Sequence, residues 1–175
     1  RGQDVYVAYN HAQKIWVSSS HDGGATFTSV TPDKNGKMGW ALASGGAIDP
    51  EGNVYYGWAG YTRNGNAKGP VNLFITTSQD GGQSWSIQLM DVSSAPPVCS
   101  DYLCGWAFLG AQIALAADSA GDLYALWNAG QVEYGPERMY FSRSGDGGAT
   151  WSAKMEVSTA PDGAQVPISL VYRKG

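Results

Sequence analysis

Short apolar and aromatic runs, separated by turns rich in Gly, Asn and Asp, follow one another along the whole chain. Alternating β-branched and aromatic residues between such turns are typical of strands in antiparallel sheets. No window shows a sustained apolar period of helical spacing, so the pattern predicts almost no helix. The predicted strands form four aligned sets: first strands at 41–48 and 112–117, second strands at 5–9, 54–58 and 123–127, third strands at 15–19, 73–77 and 139–143, and fourth strands at 86–92 and 153–157.

An octapeptide signature, Ser-x-Asp-Gly-Gly-x-Ser/Thr-aromatic, follows each third strand. The two glycines supply positive φ angles at little steric cost, and the Asp carboxylate can accept turn N–H groups. One carboxylate per turn supplies too few oxygens for calcium, so we predict a structural role and no metal. The signature residues are Ser20, Asp22, Gly23, Gly24, Thr26, Phe27, Ser78, Asp80, Gly81, Gly82, Ser84, Trp85, Ser144, Asp146, Gly147, Gly148, Thr150 and Trp151.

Small antiparallel sheets repeated at this spacing are typical of β-propeller blades, which cannot bury both faces without neighbours. The sequence predicts a single propeller segment over 1–175, with approximate blades at 1–38, 39–93 and 107–160. Residues 164–175 form either the first strand of a further blade or a closing strand of the first. Rings usually contain about four to eight blades. We therefore expect part of a larger ring of about six or seven blades, the alternative being completion by another chain.

The amino-acid composition limits which classes of molecule we expect the protein to bind. Charged residues make up 15% of the chain, the net charge is −4, and Lys and Arg are scattered. Nucleic acid and anionic membranes bind clustered basic surfaces, so we expect neither as a partner. No apolar run approaches the ~20 residues of a membrane span. No motif predicts a cofactor.

Cys99 and Cys104 lie close together in a predicted loop. A local disulfide is the preferred interpretation and favours an oxidising compartment, with a pair of reduced structural thiols as the alternative. Metal binding is disfavoured, because His11 and His21 lie in other repeats without ligand-like spacing. We therefore expect an extracellular or periplasmic protein.

The signature, at these intervals and after an apolar third strand, resembles the Asp-box, or bacterial neuraminidase repeat, of sialidase-like β-propellers. The resemblance covers essentially the whole chain. It implies a fold and not a reaction, because similar boxes occur in sialidases, other glycosidases, sortilin-type receptors and photosystem assembly factors. A sialidase of this kind would use an arginine cluster, a Tyr–Glu nucleophile pair and an Asp acid/base. The Arg-Ile-Pro segment that supplies the first arginine is absent, so no catalytic residue carries over.

Propeller geometry predicts where a ligand would bind. The second–third connections and the passages to the next blade share one face, here called the long-loop face, and the signature turns lie on the other. Long loops at 29–39, 60–72, 91–110 and 128–137 fall on this face, where function concentrates. Aromatic, amide and charged groups on these loops suit a sugar, although the aromatic rings can instead fill gaps between blades. The candidate binding residues are Trp40, Tyr61, Arg63, Asn64, Tyr102, Trp106, Glu133, Tyr134 and Arg138.

The catalytic candidates come from the same loops. Asp101 and Glu133 are the acids central to them, and Arg63 and Arg138 can face a ligand. An acid/base pair requires that the two carboxyl groups converge. Solvated loop carboxylates are the alternative.

Two functions of different class follow. The first is a secreted sialidase-like propeller that acts as a binding or structural module, with a carbohydrate or protein ligand on the long-loop face. The alternative is a glycoside hydrolase, exo-sialidase-like, whose catalytic residues lie partly outside this sequence. A third possibility is an assembly protein, because an incomplete ring exposes sheet faces and strand edges to the remaining blades or to a second copy of the chain.

Overall fold

The computed structural model describes residues 2–33, 40–63, 66–96 and 110–158, which form three antiparallel sheets and contain no helix. The first sheet consists of β1 (Val5–His11), β2 (Lys14–Ser20) and β3 (Thr28–Val30). The second consists of β4 (Trp40–Ile48), β5 (Val54–Arg63), β6 (Asn66–Ser78) and β7 (Ser86–Ser93). The third consists of β8 (Ile113–Ala117), β9 (Leu123–Gly130), β10 (Glu137–Ser144) and β11 (Met155–Glu156). The predicted all-β class is confirmed.

Each sheet is a meander in which strands that are adjacent in sequence are adjacent in space. The strand pattern follows the sequence-based alignment, but β3, β7 and β9 each extend two or three residues into a predicted loop. The difference is greatest at 60–72, where we predicted an irregular loop. Instead, β5 and β6 continue as one long hairpin whose last described pair is Arg63 and Asn66. A register shift between Tyr61 and Arg63 accommodates the irregular backbone near Gly69 and Pro70.

The core lies between the sheets. Tyr55, Leu73, Ile113 and Trp127 are buried in one cluster that the second and third sheets share. A smaller cluster joins the first and second sheets through Ile15, Ala41 and Trp58. Face-to-face packing of successive small sheets is the arrangement of propeller blades. The described part of the chain contains no helix long and apolar enough to cross a membrane.

Small residues set how closely the second and third sheets approach. A β-carbon on Gly57 of β5 would lie 2.7 Å from Ile113 Cγ2 and 3.0 Å from the Ile113 carbonyl oxygen. A β-carbon on Gly45 of β4 would make ordinary contact, 3.8 Å from the Ala114 Cα. Glycine is therefore required by packing at the first position and not at the second.

A polar contact ties the outer part of the second sheet to the third. Asp91 in β7 accepts a hydrogen bond from Trp127 Nε1 at 2.8 Å and forms an ion pair with Lys154 at 2.8 Å. The Lys154 ammonium group also lies 4.7 Å from the centre of the Tyr140 ring. One carboxylate therefore holds two groups of the neighbouring sheet.

The three signature turns share one hydrogen-bonded arrangement. In the second turn, the Ser84 N–H and hydroxyl donate to the Asp80 carboxylate at 2.9 and 2.5 Å, and the Ser78 hydroxyl donates to it at 2.8 Å. The Gly82 N–H donates to the Ser78 hydroxyl oxygen at 2.8 Å. These bonds, led by that of the Ser84 hydroxyl, lower the pKa of Asp80 to about 2. The corresponding bonds occur in the first and third turns.

The signature turns of the second and third sheets each rest on a tyrosine of the preceding sheet. A β-carbon on Gly82 would lie 3.3 Å from the Tyr6 ring, and one on Gly148 would lie 3.8 Å from the Tyr55 ring. Both glycines have a positive φ, 89° and 85° respectively. Glycine therefore allows the positive φ of the turn and lets the turn pack closely against the neighbouring sheet.

One face of the first sheet is exposed although equivalent positions in the other sheets are buried. Val5 and Tyr9 are each 37% exposed, whereas Trp58 and Trp127, which align with Tyr9, are each 1% exposed. Phe27, the aromatic residue of the first signature, is also half exposed. Among the described residues, no sheet packs on this face.

Candidate functional site

The non-glycine residues with a positive φ in the described part of the chain lie on the long-loop face. Ala12 and Gln13, which form the two-residue turn between β1 and β2, have φ values of 48° and 68°. Tyr134, between β9 and β10, has a φ of 60°. Each such residue costs on the order of 1–3 kcal/mol, and such strain clusters at functional sites. No other non-glycine residue of the described ranges has a positive φ.

Trp40 and Tyr61 form an aromatic pair at the start of β4. They are cross-strand partners, and their ring centroids lie 5.2 Å apart. Tyr61 is buried, and burial raises its pKa to about 12. Trp40 is partly buried and packs against the core cluster of the second and third sheets, so only part of its indole is exposed.

A groove of about 620 Å³ lies beside this indole. We call it the Trp40 groove, and its lining residues are Asn10, His11, Ala12, Gln13 and Trp40.

The position of the β1–β2 turn is fixed by Trp16, whose Nε1 donates to the His11 carbonyl at 3.2 Å. The Trp16 and His11 rings also pack edge to face, 6.5 Å apart. The groove is therefore built on a strained but well-supported turn.

A buried carboxyl group lies at the start of β10, beside the end of β9. Glu137 is 1% exposed, and its Oε2 accepts a hydrogen bond from Asn128 Nδ2. The other oxygen, Oε1, has no partner among the groups that the structure describes. Burial raises the pKa of Glu137 to about 7, and the Asn128 hydrogen bond opposes that shift.

Glu137 and the aromatic pair belong to one continuous row of contacts. Gly110 packs against the Tyr61 hydroxyl group, and its carbonyl accepts a hydrogen bond from Asn128 Nδ2 at 3.4 Å. The charge of Glu137 also contributes to the raised pKa of Tyr61. The row therefore runs from Trp40 through Tyr61, Gly110 and Asn128 to Glu137.

The structure separates the candidates of the third sheet from this row. Glu133 and Tyr134 are exposed between β9 and β10. Arg138 forms an ion pair with Glu156 at 3.0 Å and lines a different cavity of about 370 Å³. Val132, which is exposed, lines the same cavity.

Several predicted residues lie outside what the structure describes. The backbone of Arg63 pairs with Asn66, but its side chain lies outside the described part of the chain. Six further candidates also lie outside it and remain predictions. They are the two cysteines of the predicted disulfide, one acid of the predicted pair and three binding candidates: Cys99, Cys104, Asp101, Asn64, Tyr102 and Trp106.

The groove and the buried acid include residues that the sequence-based search missed. Asn10 and Gln13 belong to a turn too short to attract attention as a recognition loop. Asn128 and Glu137 stand at two strand ends, where polar residues are ordinary. The sequence signal that could have identified Glu137 was an acidic residue at the first position of a strand that otherwise packs in the core. In the described ranges, no group of three or more His, Cys, Asp or Glu side chains could hold a metal ion.

Comparison with known proteins gives structural matches only. No protein-family model matches the chain, and no curated protein matches it. A Hadza microbial sialidase is 18% identical with a TM-score of 0.53, over 80% of this chain and 31% of its own. The α-L-arabinanase of Penicillium chrysogenum, complexed with arabinobiose, is 15% identical with a TM-score of 0.60, over 90% and 47%. The intramolecular trans-sialidase of Ruminococcus gnavus is 15% identical with a TM-score of 0.52, over 83% and 27%.

These similarities show the fold alone, which is consistent with part of a β-propeller. The chain spans less than half of each of these structures.

Proposed function

We propose that the chain is a carbohydrate-binding β-propeller whose ligand lies on the long-loop face. The observation that carries this proposal is the partly exposed Trp40 ring, in contact with Tyr61, beside a groove of amide and imidazole groups. Aromatic rings stack on the C–H faces of sugars while such polar groups bind hydroxyls. The similar solved structures are sialidases and an arabinanase, which supports a carbohydrate ligand.

The remaining candidates extend this proposal along the same face. Glu133 and Tyr134 are exposed and available to a longer glycan. Arg138 is committed to Glu156, so it would contact a ligand only at the edge of its cavity. A disulfide between Cys99 and Cys104, if formed, would support an extracellular location.

A glycan array tests the binding function directly. The labelled chain should be retained by a defined subset of glycans, and free glycan of the same kind should compete for it. Retention on no glycan, or retention that free sugar does not reduce, would contradict the proposal.

Glycoside hydrolysis is the second candidate function, and Glu137 is the observation that favours it. A glycosidase needs a carboxylic acid that remains protonated near neutral pH, and burial raises the pKa of Glu137 to about 7. A series of contacts through Tyr61, Gly110 and Asn128 links Glu137 to Trp40, and Glu137 itself is buried outside the lining of the Trp40 groove.

Turnover of a fluorogenic sialoside and a fluorogenic arabinofuranoside tests hydrolysis. If Glu137 is the acid, Glu137→Gln should lower turnover by about a hundredfold or more. Glu51→Gln is the matched control, because Glu51 is exposed in the β4–β5 turn on the opposite face. Turnover that Glu137→Gln leaves intact would remove Glu137 from the reaction.

A further inference from the structure

The outer strand of the second sheet is long, whereas the corresponding strands of the other two sheets are short. β7 contains 8 residues, β3 contains 3 and β11 contains 2. In the described part of the chain β7 is the last strand of its sheet, so every second residue directs its N–H and C=O groups away from the sheet. Such an edge is a template on which a further strand can pair.

The first half of β7 is exposed to solvent. All four residues at 86–89 are exposed, and they pair with β6 in regular register before the register shift in this hairpin. Ile87 and Leu89, which lie on the same face of the strand, are 40% and 52% exposed. The first and third sheets pack on either side of the second sheet, and they leave this part of the edge open. An accessible edge with an exposed apolar pair is suited to binding an added strand.

A cavity of about 590 Å³ lies beside the same half of the strand. It is bordered by β7 and by the signature turns of the second and third sheets, and its lining includes Ser86, Gln88, Gln79, Asp80 and Asp146. Successive side chains of a strand point to opposite faces of its sheet. A strand paired with β7 would therefore direct every second side chain toward the side of this cavity.

The two carboxylates of the cavity are ionised at neutral pH. Hydrogen bonds led by that of the Ser84 hydroxyl lower the pKa of Asp80 to about 2, and those led by the Thr150 hydroxyl lower the pKa of Asp146 to about 2. Both aspartates are exposed, so their charges act on a group that enters the cavity. A Lys or Arg side chain on the added strand would meet complementary charge there.

From these observations we infer that residues 86–89 of β7 bind an extended segment of another polypeptide as an additional strand, with a basic side chain of that segment in the adjoining cavity. This inference goes beyond the proposed carbohydrate site, which lies on the long-loop face, and does not depend on it.

Nuclear magnetic resonance of the isotope-labelled chain tests the pairing. The probe is a capped hexapeptide in which lysine and valine alternate. One control peptide has glutamate in place of lysine, and the other is the lysine peptide with every backbone amide methylated. We expect the lysine peptide to shift the amide resonances of residues 86–89, and to bind at least about tenfold more tightly than either control.

Two variants test the location. Leu89→Lys should weaken binding of the lysine peptide about tenfold, because it replaces an apolar contact with a charge that repels the peptide. Gln79→Lys should weaken it about three- to tenfold, because it places a cation at the cavity. Both side chains are exposed, so both variants should remain folded.

Met155→Lys and Gln3→Lys are the matched controls and should leave peptide binding unchanged. Met155 is exposed in the short strand β11, and like Leu89 it lies four residues after the aromatic residue of its signature. Gln3 is an exposed amide that does not line the cavity.

Three outcomes would overturn the inference. The first is absence of binding, or amide shifts confined to other parts of the chain. The second is equal binding of the glutamate peptide or of the methylated peptide. The third is a shift of the residue 86–89 amides with protein concentration in the absence of peptide, which would assign the edge to a second copy of the chain. None of these outcomes bears on sugar binding, which the glycan array measures separately.

Discussion

The Glu137 carboxyl group is almost completely buried, and its Oε1 accepts no hydrogen bond from the described residues. Burial raises its pKa from the usual 4.5 to about 7, so the folded protein keeps a proton that the unfolded chain has already lost. The resulting stabilisation is fully present below about pH 4.5 and is lost as the pH rises through about 7.

The free energy of unfolding should therefore fall by up to about 3 kcal/mol between pH 5 and pH 8 because of this single group. Glu137→Gln keeps the shape of the side chain and an acceptor for Asn128 but cannot ionise. We expect this variant to lack that part of the pH dependence in urea titrations at four pH values.

Glu51→Gln is the control, because Glu51 is exposed and should leave the pH profile of the parent unchanged. An equally steep profile in Glu137→Gln would show that other groups cause the pH dependence.

Residue-scale prediction from the sequence succeeded where the partners are close in sequence. The signature pattern predicted a turn in which Asp80 accepts turn N–H groups, and Ser84, four residues away, donates to it from both its N–H and its hydroxyl. Trp40 and Tyr61 were each identified as candidates, but their contact depends on the β4–β5 register. Glu137 was missed, because its unusual property comes from burial by distant parts of the chain.

Strand positions were predictable because alternation and turn residues agree along each repeat. The long β5–β6 hairpin was not predictable in this way. Gly69 and Pro70 are typical of a loop, but a strand can contain them beside a register shift. Which glycine is sterically required depends on the packing of β5 against β8.

Gly57→Ala tests that packing. Its β-carbon would lie 3.0 Å from the Ile113 carbonyl oxygen, which is backbone and cannot turn aside. We expect a loss of about 1–3 kcal/mol in the free energy of unfolding, measured by urea denaturation.

Gly45→Ala is the matched control, since it adds the same methyl group at ordinary contact distance from Ala114. If both variants lose the same free energy, strand propensity and not the approach of the sheets accounts for the effect.

At the scale of the whole molecule, the sequence predicted repeated sheets, and the structure shows how they are joined. The apolar clusters between sheets follow from the alternation pattern, whereas the Asp91 contact does not. Asp91 lies 36 residues before Trp127 and 63 residues before Lys154, and no local pattern connects them.

Asp91→Ala should lower the free energy of unfolding by about 1–3 kcal/mol, because it leaves the buried Trp127 Nε1 without an acceptor. Lys154→Ala should cost less than about 1 kcal/mol, because its ammonium group is largely exposed to solvent. Chemical denaturation of both variants measures the difference. A larger loss in Lys154→Ala than in Asp91→Ala would show that the ion pair, and not the indole hydrogen bond, joins the sheets.

The contact of the second and third Gly-Gly turns with a tyrosine of the preceding sheet has an evolutionary consequence. The second repeat encodes both halves of this contact, since it contains Tyr55 for the repeat that follows and Gly82 for the one before. Tandem duplication or deletion of one coding unit therefore preserves matched surfaces at the new junction.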